Sequence, residues 1–249
     1  VTKTYRYKEA GQTEIQPYWC LALQATEGRL IEALIWFYET TGDSLALKLA
    51  DKFARFHINY STLPDGSFPG GALAGHSHSF LGTLRGLLLY GELTGQHEYI
   101  DRVAKTYKVT VPRMIKKSGF ISHDMGKEEE GEVTSTGDVV QLALWLATRH
   151  GYTELFDDVE RLVRARLIPS QIIQKPDFRI GPRISEGRRI LGLDKRLILH
   201  PYVPEERLEE IVVGALGGMY RWAHGGKNSV VDVTAAALHS LVDIYKNIY

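Results

Sequence analysis

The feature that most constrains this chain is a helix–glycine–helix grammar that recurs along it. Leu30, Ile31, Leu34, Ile35 and Tyr38 fall on one helical face, the run breaks at Thr41-Gly42-Asp43, and a second amphipathic run follows through Leu45, Leu49, Ala50 and Phe53. The pattern returns with Leu81, Leu84 and Leu88, the break Thr94-Gly95-Gln96, and Tyr99, Ile100, Val103 and Tyr107. It returns again with Val139, Leu142, Ala143 and Leu146, the break His150-Gly151-Tyr152, and Leu155, Val159 and Leu162. Gly42, Gly95 and Gly151 thus recur about 55 residues apart, the signature of a stacked supersecondary unit. Each glycine sits where a helix would end in a left-handed residue.

A fourth pair is expected from Glu205 to Tyr220 and from Ser229 to Tyr249, with Asn228 or Ser229 as the N-cap. The stretch from Lys175 to Pro204 carries four prolines and no clean period, and reads as a long excursion between pairs. The expected fold class is all-α: an incomplete, barrel-like α/α toroid made of antiparallel helix pairs in a single domain spanning 1–249 that a longer chain could contain. An open superhelical solenoid is the competing architecture. Solenoid repeats usually run to roughly 34–47 residues, whereas these are longer and have connections rich in Gly, His and aromatic residues.

Composition narrows the function classes. Thirty basic and thirty acidic residues give a formal net charge of +0, which removes the chain-wide electrostatic case for nucleic acid. No stretch approaches the ~18 consecutive apolar residues of a membrane span, and no charged-then-apolar leader opens the chain, so the compartment and the oligomeric state stay open. The single Cys20 excludes an internal disulfide and a multi-cysteine zinc site.

If each pair has an inner and an outer helix, the starts of the inner helices share one rim. Unusual residues gather at these starts: Glu27 and Arg29, His76 and His78, Glu132 and Asp138, and Trp222, His224 and Lys227 before the last helix. N-capping explains Ser79, Ser135 and Thr136, but it does not require the histidines or Glu132. In Gly70-Gly71-Ala72-Leu73-Ala74-Gly75-His76-Ser77-His78 the glycines permit close approach of a ligand, and the histidines can bond sugar hydroxyls or be satisfied structurally. No His-Glu-x-x-His spacing or nearby cysteine accompanies them, so neither a metal nor another cofactor is expected.

The segment Phe120-Ile121-Ser122-His123-Asp124-Met125-Gly126 leads into Glu128, Glu129 and Glu130, which read as a solvated loop. Glu132 differs, because it lies at a helix start. Asp124 and Glu132 are candidate catalytic carboxylates, since glycoside hydrolysis divides its work between one carboxylic acid and one carboxylate. Tyr18, Trp19 and Trp222 are candidates for stacking on a sugar face, and Arg29 and Lys227 could favour an acidic sugar.

Glu27-Gly28-Arg29-Leu30-Ile31-Glu32-Ala33-Leu34 with Tyr38-Glu39-Thr40-Thr41-Gly42-Asp43, and His76-Ser77-His78-Ser79 leading to Thr94-Gly95, resemble the helical core of the β-L-arabinofuranosidase-type glycosidases. Glu132-Val133-Thr134-Ser135-Thr136-Gly137-Asp138 and Asp157-Asp158-Val159-Glu160-Arg161 extend the likeness. The resemblance implies a cavity that binds glycans. It also implies a zinc site with a Glu-Thr-Cys segment and a later cysteine pair. Here the first segment reads Glu132-Val133-Thr134 and no cysteine follows Cys20, so a thiolate mechanism is excluded.

Three functions follow from these readings. The first is a glycoside hydrolase-like enzyme with carbohydrate as its partner, Glu132 and Asp124 in acid/base roles, and His76, His78 and His224 positioning the sugar. The second is an epimerase or polysaccharide lyase working through His76, His78, His123, His224 and Tyr202. The third is a non-catalytic glycan-binding or scaffold domain.

Overall fold

The computed structural model describes residues 27–126, 133–171, 173, 214, 216 and 231–248. Among these the chain is all-α, with two isolated β-bridges as its sole extended pairings. It divides into two compact units, one formed by Val1–Ile115 with Ser122–Glu128 and the other by Lys116–Ile121 with Glu129–Tyr249.

The first unit holds two helix pairs. Helix α1 (Leu30–Thr41) ends at Gly42, whose φ of 73° lets its N–H return to the Tyr38 carbonyl at 2.7 Å. One residue later Asp43 caps α2 (Ser44–Tyr60) by accepting from the Leu45 N–H at 2.7 Å. A turn this short forces the two helices to run antiparallel. Helix α3 (Ser77–Thr94) ends at Gly95 with φ 68°, and α4 (His97–Val109) starts after Gln96. The expected pairs and glycine breaks therefore stand at their expected places.

Within a pair the two helices differ in burial. Helix α3 is buried from Ser77 to Gly91 at every position but His78, so it has no solvent face. Helix α4 buries only Tyr99, Ile100, Val103, Ala104, Thr106 and Tyr107, the single stripe of an outer helix. A glycine sets the approach of α1 to α3: a Cβ on Gly86 would stand 2.8 Å from the Ile31 Cβ and 3.2 Å from the Glu32 N. The crossing also buries an ion pair, Arg85 Nη2 to Glu32 Oε2 at 2.9 Å, with under a tenth of either side chain exposed.

In the second unit, α5 (Val133–His150) is buried from Val133 through Ala147. It packs on α7 (Val231–Ile248) and on α6 (Phe156–Leu162), which continues through a π-turn over Val163–Leu167. Gly151, with φ 77°, makes the break after α5.

Two expectations need correction. The predicted helix over Glu205 to Tyr220 does not pass through its middle, because Gly214 has φ 92° and Leu216 bridges Gln171. Three glycines at 214, 217 and 218 weaken a helical run that otherwise has the right period. Ser79, Ser135 and Thr136 are not N-caps either. They lie inside the first turn of their helices, fully buried, and His76 holds the cap position of α3. Asn228 and Ser229 lie outside the described residues. No described helix is long and apolar enough to cross a membrane.

Candidate functional site

The start of α3 is pinned by a second segment of the first unit. His76 and Asp124 form an antiparallel bridge, the Ser77 N–H donates to the His123 carbonyl at 2.8 Å, and the Met125 N–H donates to the Gly75 carbonyl at 2.7 Å. The Ser77 hydroxyl adds a bond to the Ser122 carbonyl at 2.5 Å. The glycine-rich segment leading into α3 is tethered as well, by Arg113 Nη2 to the Gly71 carbonyl at 2.9 Å and by Phe68, buried edge-to-face against Phe80. Gly126, with φ 79°, leaves the Leu73 carbonyl the space that a side chain would fill.

This pairing gathers three imidazoles and a carboxylate. The His76 and His123 rings lie 4.3 Å apart between centroids, and His78 stands edge-on to His76 at 5.9 Å. His123 Nδ1 is 3.2 Å from Asp124 Oδ1. All four are partly exposed, so the group borders solvent. His76 Nδ1 shares a 2.8 Å hydrogen bond with the Ser79 hydroxyl, which links the cap residue to the third residue of the helix and fixes the ring orientation. Chemically, such a group can pass protons between neighbouring imidazoles and a carboxylate, and imidazoles do so near neutral pH.

Arg29 lies one turn along the same face of α3. A Cβ on Gly82, four residues beyond His78, would stand 3.1 Å from the Arg29 Cβ. Arg29 is itself exposed at the end of the 3-10 turn Glu27–Arg29, which also contains Glu27. Asp138 lies in the second unit, fully buried in α5. Glu132, Trp19, Trp222 and His224 lie outside the described residues, as do Tyr18, Tyr202 and Lys227. The structure thus brings His76, His78, His123 and Asp124 together with Arg29 nearby. Ser79 is the contributor that sequence reasoning misplaced, because a serine two residues past a helix start has the same local signature as a cap.

The zinc and cysteine centre implied by the resemblance does not fit this chain. No cysteine follows Cys20, and among the described residues no three His, Cys, Asp or Glu side chains are grouped to hold a metal ion.

No family model and no curated protein matches the chain. Several solved structures are similar at low identity. An unsaturated glucuronyl hydrolase from Bacillus sp. GL1 is 15% identical over 54% of this chain and 43% of its own, with a TM-score of 0.45. A glycoside hydrolase family 76 mannosidase from Bacteroides thetaiotaomicron VPI-5482 is 17% identical over 54% and 41%, with a TM-score of 0.46. A family 127 β-arabinofuranosidase is 22% identical over 57% and 25%, again with a TM-score of 0.46. The chain spans less than half the length of each, and the likeness is one of helical arrangement.

Proposed function

We propose that this chain processes glycans by general acid–base catalysis, with His76, His78, His123 and Asp124 at the start of α3 among its reacting groups. The observation that carries the reading is the convergence of His76, His78, His123 and Asp124 on one partly exposed spot. Ordinary helix capping explains the position of none of these imidazoles; the α3 cap makes no side-chain bond to the helix N–H groups. In the hydrolase form of the proposal, Asp124 and Glu132 are the candidate carboxylates for the acid and base roles, and His76 and His78 hold the sugar hydroxyls. His123 orients the Asp124 carboxylate through the 3.2 Å contact.

A panel of labelled oligosaccharides, neutral and acidic, tests this. Asp124→Asn and Glu132→Gln should each lower kcat by at least two orders of magnitude while leaving ligand affinity within a few-fold. Full activity in both variants refutes the carboxylate mechanism.

A second reading, elimination or epimerisation on the sugar, is favoured by the imidazoles outnumbering the carboxylate in the described cluster. It predicts collapse of turnover in His78→Ala and ultraviolet-absorbing unsaturated products in the case of a lyase. Saturable glycan binding with no product by mass spectrometry would leave only a binding module.

A further inference from the structure

The second unit contains a cation that no carboxylate among the described residues pairs with. Arg166 lies in the π-turn Val163–Leu167, half-buried, with its guanidinium carbon 5.5 Å from the centre of the Phe120 ring. Its Nε is buried without a hydrogen-bond partner, and it forms no ion pair among the described residues. The neighbouring Arg164 and Arg161 behave differently, since both are paired to carboxylates of their own helix, Glu160 and Asp158. Burial alone pushes the Arg166 pKa down from the ordinary arginine value, with no carboxylate acting in the other direction. Arginine nonetheless stays protonated in proteins, so a positive charge is held there against the cost of desolvation. A π-turn breaks helical regularity and is found most often where a side chain has a task.

The first turn of α5 belongs to the same region. The Thr136 hydroxyl donates to the Gly119 carbonyl at 3.3 Å, and a Cβ on Gly119 would stand 3.2 Å from the Arg166 Cβ, so the loop before Phe120 joins the helix start to the arginine. In that turn the Thr134 and Ser135 hydroxyls are buried without hydrogen-bond partners. The N-terminal N–H groups of a helix supply further donors and a positive partial charge. The helix start and the arginine thus meet at the Gly119-Phe120 loop, with the aromatic ring beside the guanidinium.

We propose that Arg166, backed by the ring of Phe120, is an anion subsite that takes the carboxylate of a uronate residue. A guanidinium presents a planar fork that matches a carboxylate, and an aromatic ring can back the face of that fork without occupying its donors. The choice of a uronate rests on the glycan reading above; the anion subsite itself rests on Arg166.

The test uses the full chain and two probes, D-glucuronate and D-glucose, with binding followed by calorimetry and by the melting temperature. Wild type should bind glucuronate at least tenfold more tightly than glucose, with affinity falling as sodium chloride is raised. Arg166→Met, which keeps the apolar stem, should lose at least tenfold in glucuronate affinity, and Phe120→Leu should lose a few-fold. Arg166→Lys keeps the charge without the fork and should fall between wild type and the Met variant, which also covers the case in which Arg166→Met does not fold. Equal affinity for the two probes, or glucuronate binding unaltered in the Arg166 variants, overturns the subsite. Arg166-dependent glucuronate binding in a chain that turns over no glycan would retain the subsite and remove the catalytic reading. Turnover of neutral glycans without glucuronate preference would do the reverse.

Discussion

Helices α3 and α5 solve one problem by different chemistry. Each has 18 residues, is buried on all sides for most of its length, and must place a polar side chain where no water reaches it. On α3 that residue is Arg85, whose Nε and Nη2 both donate to Glu32 Oε2, at 3.2 and 2.9 Å. On α5 two neutral donors share one acceptor: Gln141 Nε2 and Trp145 Nε1 reach Asp243 Oδ2 of α7 at 2.6 and 3.0 Å. The first arrangement stakes two charges on one contact and the second stakes one, at a less buried position where 16% of the Asp243 side chain is exposed. The lesson is that equal burial does not imply equal fragility, because the cost of breaking a contact depends on what is left unneutralised.

The largest effect should come from Glu32→Gln, which removes the charge that two nitrogens of the buried Arg85 reach. A loss of about 3–5 kcal/mol in urea unfolding is expected. Replacing the pair together, by Glu32→Leu with Arg85→Met, should recover most of that loss, and a double variant as unstable as the single one would show that the pair is not the determinant.

Gly86 and Gly137 sharpen the comparison through packing. Gly86→Ala drives a Cβ against the Ile31 Cβ and the Glu32 backbone, neither of which can rotate away, and should cost about 1–3 kcal/mol. Gly137→Ala meets the Ser240 hydroxyl at 2.8 Å, the movable end of a side chain, and alanine improves helix propensity, so a net change below about 1 kcal/mol is expected. Equal melting temperatures for the two variants would contradict this.

Asp243→Asn keeps an acceptor for Gln141 and Trp145 but removes its charge, and should cost about 1 kcal/mol. A loss as large as that of Glu32→Gln would erase the distinction between the helices.

The last effect is absent at neutral pH and appears in the first unit as the solution becomes alkaline. Burial raises the Tyr99 hydroxyl from 10.0 to about 12, with the neighbouring Tyr90 adding to the shift. The folded state therefore holds its proton after the unfolded chain has released it. The stabilisation is complete below pH 10 and is lost as the pH rises toward 12. Tyr99→Phe should flatten that part of the stability profile.

How much of this is legible in the sequence differs between fold and site. The α1–α2 and α3–α4 pairs and the breaks at Gly42, Gly95 and Gly151 can be read directly, because helical period and the left-handed cap are local properties. The candidate histidines are legible as a motif, but the contact between His76 and His123 is not, since it depends on a bridge between segments about 45 residues apart whose backbone bonds leave no periodic trace. Arg166 is equally hidden: Arg161, Arg164 and Arg166 look alike in sequence, and the packing of Arg166 against Phe120, remote in the chain, is what separates it from its paired neighbours.

Sequence by itself determined where the chain turns helical and where it stops, since both are decided within a few residues by period, capping and glycine. Tertiary structure decided that Ser79 steadies an imidazole instead of capping a helix, and that Glu32 meets Arg85. Those outcomes depend on the distance between segments remote in the chain, a quantity set by packing and by the desolvation of whatever lies between them.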